Sequence, residues 1–292
     1  MNTTLKGYLR LMRPANLPTA MADIFAGIAI AGVVLETPWL IFVYLVFAAT
    51  FLYAGGVVLN DVFDYKLDKI ERPERPIPSG VVPLKSAAIF GTVLLGIGIV
   101  FAFLVSVTSG SLALILAGAI VLYDAIAKKN GFFGPLNMGI CRGLNLLLGM
   151  SVVGTILDLK YAIIPIIYIF AITLISRGEV HGNNKKHLVL AAALYICVIV
   201  LVLKFQFNRM QEIILESIPF LVLFSYLIFK PLYNAYKSNT PENIKKAVIA
   251  GVLSIVVLDA AMAVGFSYWW YGLLILLLLP LSVFLSKLFA VT

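Results

Sequence analysis

Ten stretches of this 292-residue chain are apolar and of about the length needed to cross a bilayer, a pattern that rules out most folds at once. They lie near residues 15–34, 38–60, 84–106, 110–127, 135–155, 160–178, 188–204, 213–231, 243–265 and 268–288. Lipid offers no hydrogen bonds, so backbone crossing it must satisfy itself, and segments of this length do so as α-helices. Only 12% of residues are charged, against about a quarter in soluble domains. With a mean hydropathy of +1.03, the sequence predicts an all-α, polytopic membrane helical bundle. The turn at Gly265-Phe-Ser-Tyr-Trp-Trp is tight, so the expectation is nine to ten transmembrane helices, forming one domain over residues 1–292.

Basic residues orient such a bundle, because Lys and Arg concentrate in cytoplasmic loops. Of the 22 Lys and Arg residues, only Lys160, Lys204 and Arg209 fall on one side of the predicted bilayer. Both chain ends and the loop after residue 60 are therefore expected in the cytoplasm. A bacterial inner membrane is the expected location. The formal charge of +8 is a product of this topology and not a nucleic-acid signal, since the basic residues are scattered over loops with no soluble domain to present them.

Cys141 and Cys197 both sit within apolar segments and are expected as buried free thiols. The first twenty residues lack a compact apolar run ending at a small-residue cleavage site, which speaks against a signal peptide. Leu5, Tyr8, Leu11 and Met12 predict instead a short interfacial helix.

The second apolar stretch ends in Asn-Asp-Val-Phe-Asp-Tyr-Lys-Leu-Asp, residues 60–68. On a continuous helix Asp61, Asp64 and Asp68 would share one face, with Asn60 one turn from Asp64. Clustered carboxylates repel. A hard divalent cation such as Mg2+ removes that repulsion, taking one or two carboxylates and completing its shell with water and substrate phosphates. These four residues are therefore candidate ligands of Mg2+ and a diphosphate. The loop beyond them contains Arg72 and Arg75 among stiffening prolines, in a form suited to bidentate contacts with phosphate.

The stretch NDVFDYKLDKIERPERPIPSG resembles the first aspartate-rich motif of the UbiA superfamily of intramembrane prenyltransferases. RPAN at residues 13–16, YDAIAKK at 123–129 and CRGLNLLLG at 141–149 agree with it, and the resemblance runs in order from about Arg13 to Gly265. Within the superfamily, the first motif, CRGLNLLLGM and SRGEVHG look most like the EboC-type branch. The resemblance implies a helical bundle around a cavity that holds an isoprenoid diphosphate through Mg2+ and passes its chain to a small aromatic or hydroxyl-bearing acceptor. Asp61 and Asp64 would be central to catalysis, with Asn60 and Asp68 completing the metal and diphosphate site and Arg72 and Arg75 clamping phosphate.

By the same resemblance Tyr123 and Lys128 would be further substrate contacts, although their spacing of five departs from the family's Y-x-x-x-K. Arg13 and Asn16 would reach the cavity from the first span, and Arg142 and Asn145 would line it from the fifth. Simpler roles exist for each: a helix cap for Asn16, a helix-helix hydrogen bond for Asn145, and a charge snorkelling to the interface for Arg142. Asp23, Asp124 and Asp259 also fall in or near spans, where an acid is protonated or partnered, and Arg142 is a candidate partner for one of them.

The second acidic motif of the superfamily departs here to Ser176-Arg-Gly-Glu-Val-His-Gly-Asn183. Glu179 is its remaining acid and a candidate metal ligand. Ser176 and Asn183 can offer an oxygen but neutralise no charge. Arg177, Lys185 and Lys186 are placed to meet the diphosphate directly. His181 could take a proton from a hydroxyl acceptor near neutral pH, or be an ordinary loop residue. His181 and His187 lack the further ligands of a zinc site.

Mg2+-dependent prenyl transfer is the favoured reading. A membrane carrier or assembly protein that kept the fold without turnover is the alternative. A CDP-alcohol phosphotransferase would require a D-G-x-x-A-R element that this chain lacks.

Overall fold

The computed structural model describes residues 3–156, 158–179, 182–207 and 214–289. Its regular structure is helical throughout, and no strand occurs among the described residues. Thirteen α-helices follow in chain order: α1 (Thr3–Leu11), α2 (Leu17–Ala31), α3 (Trp39–Phe63), α4 (Tyr65–Glu71), α5 (Leu84–Phe103), α6 (Val107–Ala125) and α7 (Phe133–Met150), then α8 (Ile163–Ser176), α9 (Lys185–Phe207), α10 (Ile214–Lys237), α11 (Pro241–Val264), α12 (Trp269–Leu276) and α13 (Leu278–Leu288).

Among the described residues, nine helical segments are long and apolar enough to cross a membrane, the last being Trp269–Leu288, built from α12 and α13. The protein is an integral membrane protein. The first expected span is not among these nine. A 3-10 turn at Pro14–Asn16 leads into α2, whose 15 residues extend about 22 Å, less than the hydrocarbon core. It ends at Gly32, whose φ of 79° is the left-handed cap that glycine adopts without strain. Buried Ala20, Ala22, Ala26 and Ala29 show that α2 faces other helices more than lipid.

The core centres on α2, which packs against α7 on one side and α11 on the other, and α11 is buried without a break from Ser254 to Val264. Two glycines let α2 and α7 approach closely. A Cβ on Gly27 would lie 2.5 Å from the Leu146 carbonyl oxygen, and one on Gly149 would lie 2.7 Å from that of Ile24. Helices in lipid associate through such small-residue contacts, because lipid tails are as apolar as leucine. One turn away from Gly27 stands Asp23, and one turn from Gly149 stands Asn145, so the glycine contact brings polar groups together as well.

Helix α1 forms as expected, burying Leu11. Cys141 and Cys197 are free thiols. Cys197, expected in the interior, is exposed on α9, because a spanning helix can turn a weakly polar thiol towards lipid at little cost.

Candidate functional site

Helix α3 carries Asn60 and Asp61 to its end and stops at Phe63. Asp64 leaves helical geometry, with φ −84° and ψ 1°, and α4 then carries Asp68. The carboxylates therefore do not stand along one continuous helix as the spacing predicts. Backbone bonds from Asp64 N to Asn60 O, 2.9 Å, and from Asp68 N to Asp64 O, 2.8 Å, keep the bend tight.

Built-in cations meet each of these acids. Arg13 lies 2.7 Å from Asp61, and Arg75 bridges Asp61 at 3.2 Å and Asp68 at 2.8 Å. Lys128 Nζ is 2.6 Å from Asp64 and 3.8 Å from Asp124. Arg13 has φ 48° and ψ 64°, a left-handed conformation uncommon outside glycine, and this backbone strain sits at the junction that directs its guanidinium to Asp61. Asn60 donates from Nδ2 to Asp124 Oδ1 at 2.6 Å, leaving its amide oxygen as the group able to ligate.

Behind this charged mouth a cavity of about 490 Å³ runs into the bundle. Of the sequence-predicted residues, Arg13, Asn16, Asn60, Asp64, Asp68, Arg72, Arg75, Tyr123, Arg142, Asn145 and Glu179 line it together, and Ser176 joins them. Leu116, Ile120, Ile169, Ile172, Val248, Val252 and Ile255 make an apolar wall deeper in. Asp61, Lys128, Arg177, Asn183 and Lys185 are not among the lining residues. Asp61 is 5% exposed and stands behind the wall, where it anchors Arg13 and Arg75. Arg177 is exposed and donates to the Asn130 carbonyl at 3.4 Å, while Lys185 packs over the Tyr236 ring. Asn183 is exposed with φ 55°. His181 lies outside the described residues.

Glu179 is half-buried, and burial pushes its carboxyl above the usual glutamate range while Arg72 and Lys245 oppose the shift. The cap over this end of the bundle is closed by hydrogen bonds between loops, including Asn184 N to Asn239 Oδ1 at 3.0 Å.

The deep wall is polar on one side. Arg142 Nε pairs with Asp23 Oδ2 at 2.7 Å, and its terminal nitrogens donate to Thr19 Oγ1 at 3.3 Å and to the Thr19 carbonyl. Asn145 donates from Nδ2 to Ala20 O at 3.0 Å and to Asp23 Oδ2 at 2.7 Å. Arg142 thus does not snorkel; it is 7% exposed and held by an acid. Asn145 fills both roles open to it, since it bonds across helices and lines the cavity. Asn16 makes no side-chain cap to α2.

Asp124 and Thr19 line the cavity without having been candidate site residues. An ionisable residue inside a span was the available signal for Asp124. Thr19 gave none, because a threonine in an apolar helix is common.

Among the described residues no three His, Cys, Asp or Glu side chains are gathered in metal-binding geometry. The donor chemistry nevertheless suits Mg2+. Asn60, Asp64 and Asp68 offer oxygens to one cavity, and the Lys128 ammonium already stands between Asp64 and Asp124 where positive charge is needed.

These features define a polytopic helical membrane protein with a charged mouth over a greasy intramembrane cavity. Residues 20–181 match the UbiA prenyltransferase family, and the chain belongs to it. It is 40% identical over 157 residues to digeranylgeranylglyceryl phosphate synthase of Methanococcoides burtonii, an overlap covering 51% of this chain and 56% of that one. With the synthase of the same name from Saccharolobus solfataricus it shares 29% identity over 278 residues, covering 86% and 96% of the two chains. A UbiA homologue from Archaeoglobus fulgidus, solved bound to GPP and Mg2+, superimposes with a TM-score of 0.68 at 14% identity, covering 88% of this chain and 99% of that one. That likeness is one of fold.

Proposed function

We propose that this protein transfers an isoprenoid chain from a prenyl diphosphate to a small hydroxyl-bearing acceptor, with Mg2+ as cofactor. One observation carries the reading: Asn60, Asp64, Asp68, Arg72 and Arg75 line the same cavity as Ile169, Ile172, Val248 and Val252, so a diphosphate and a greasy chain fit one continuous space. The relatives named as synthases of a digeranylgeranylglyceryl phosphate favour a glyceryl hydroxyl over an aromatic ring as acceptor.

Asn60, Asp64, Asp68 and Glu179 would hold the metal, with Asp61 behind them. Bound there, Mg2+ would neutralise charge on the diphosphate leaving group. Arg72 and Arg75 bind phosphate oxygens bidentately, and Lys128 and Tyr123 flank the same end. The apolar wall excludes water, so that the acceptor and not solvent captures the allylic cation as the C–O bond breaks. Arg177, Asn183 and Lys185 are proposed as further diphosphate contacts, and His181 as the proton acceptor.

The whole chain is proposed to act as one domain, with its mouth facing the cytoplasm, in keeping with the basic loops on that side. The relatives cited above are archaeal, and nothing in them favours the bacterial membrane over an archaeal one. The EboC-like motifs suggest one branch and the synthase relatives another; acceptor choice distinguishes them.

The test uses purified full-length protein in nanodiscs with isoprenoid diphosphates of several lengths and an alkylglyceryl phosphate, reading diphosphate release and prenylated product. Release is expected to require Mg2+, to stop with a chelator, and to fall about a hundredfold or more in Asp61→Ala and Asp64→Ala. Folded protein that releases nothing with any donor, or variants that match the wild type, would support the carrier reading instead.

A further inference from the structure

The deep wall carries an arginine beside the space proposed for a hydrocarbon chain. A buried ion pair is a poor way to stabilise a bundle, because desolvation offsets most of the attraction and apolar residues of similar volume do as well or better. Charges kept inside membrane proteins at that cost mark sites of function.

We infer that Arg142 and Asn145, positioned by Asp23, form a subsite for one uncharged hydroxyl of the acceptor. This rests on the prenyl-transfer reading and narrows it. Hydrogen-bond capacity carries the argument. Asn145 spends both N–H groups, on Ala20 O and Asp23 Oδ2. Both partners are acceptors, so the amide cannot be turned over. Among the described residues no hydrogen bond engages its Oδ1, and what Asn145 offers a ligand is therefore an acceptor. Each terminal nitrogen of Arg142 carries two N–H groups and uses one, on Thr19 Oγ1 or the Thr19 carbonyl, so the guanidinium offers donors. A hydroxyl gives one proton and accepts others, and it satisfies both residues at once.

Charge excludes the alternative of an anionic group. Asp23 is fully buried against Arg142, so the pair is neutral and leaves no net charge for a phosphate or carboxylate. Asp259, also buried, neighbours Asp23 from α11 and adds no positive charge. The anionic part of donor or acceptor belongs instead at the mouth with Arg72 and Arg75. Asp23 does not line the cavity, so it acts through Arg142 and Asn145 as a positioning residue.

The experiment measures binding, in nanodiscs, of an alkylglyceryl phosphate, its deoxy analogue lacking the free hydroxyl, and an analogue with a carboxylate in that place. Wild type is expected to bind the hydroxyl compound about tenfold more tightly than the deoxy compound, the worth of one hydrogen bond. Asn145→Leu, close in volume, is expected to abolish that discrimination while the affinity for geranylgeranyl diphosphate stays within twofold. Asp23→Asn combined with Asp259→Asn removes both buried acids beside the guanidinium and is expected to raise the relative affinity of the carboxylate analogue about tenfold. Should that double variant not fold, Asn145→Leu decides alone.

Wild type that binds the diphosphate but ignores the hydroxyl, or an Asn145→Leu variant that keeps the discrimination, overturns the subsite. A folded double variant with unchanged charge preference overturns it too. Wild type that binds no isoprenoid diphosphate at all overturns the prenyl-transfer reading, and this subsite with it.

Discussion

Lys128 Nζ stands 2.6 Å from Asp64 and 3.8 Å from Asp124, so a lysine one turn beyond Asp124 sets its charge between two carboxyls of different helices. Asp64 is the residue at which α3 gives way to α4, and Asp124 lies at the end of α6. The ammonium therefore ties the acidic motif to the far wall of the mouth. Under the proposed function, its positive charge stands behind the lining Asp64 and Asp124, on the side where a diphosphate would bind.

Removing it should weaken donor capture more than chemistry. In Lys128→Met the KM for isoprenoid diphosphate is expected to rise about tenfold, with a smaller fall in kcat, from steady-state kinetics at saturating Mg2+. An unchanged KM would show that this lysine serves only to balance the carboxyls.

The Asp23–Arg142 pair makes a prediction about stability. Removing one partner, as in Asp23→Leu, takes the direct ion-pair partner from the buried guanidinium and is expected to cost about 3–5 kcal/mol. Replacing both, as Asp23→Leu with Arg142→Leu, is expected to recover most of that loss, because the apolar pair needs no desolvation. Denaturation of the four proteins in detergent forms the double-mutant cycle, and additive losses would refute the coupling.

Glu179 makes the mouth sensitive to pH. Burial raises its carboxyl above the usual value in the folded protein, so the neutral form is the better tolerated one. Its contribution to stability is present below the unfolded-state value and is lost as pH rises through the raised one. Glu179→Gln stays neutral throughout. The thermal midpoint of the wild type relative to this variant is expected to fall as pH climbs through and above the glutamate range, and parallel curves would rule the effect out.

Much of this was legible in one dimension. Apolar length alone announced the helices, because lipid leaves the backbone no other solution. The acidic motif could also be read, since carboxylates at the end of a spanning segment need a cation. Their arrangement could not. Spacing placed Asp61, Asp64 and Asp68 on one helical face, but the chain turns at Asp64, and Asp61 faces Arg13 and Arg75 instead of the open cavity. A helical wheel assumes a straight helix and cannot see which cations the next loop will bring.

The buried network was still less accessible. Asp23 and Arg142 are more than a hundred positions apart, and three acids competed in sequence for the one arginine. The choice was made by Gly27 and Gly149, whose missing side chains let α2 and α7 approach until Thr19 and Asp23 reached Arg142 and Asn145. Local composition determined that this chain enters a membrane as helices and carries an acidic motif at the end of one. Close packing between distant helices decided which charges pair, which line the cavity and which are left with hydrogen bonds to offer, because those outcomes depend on distances that no local pattern encodes.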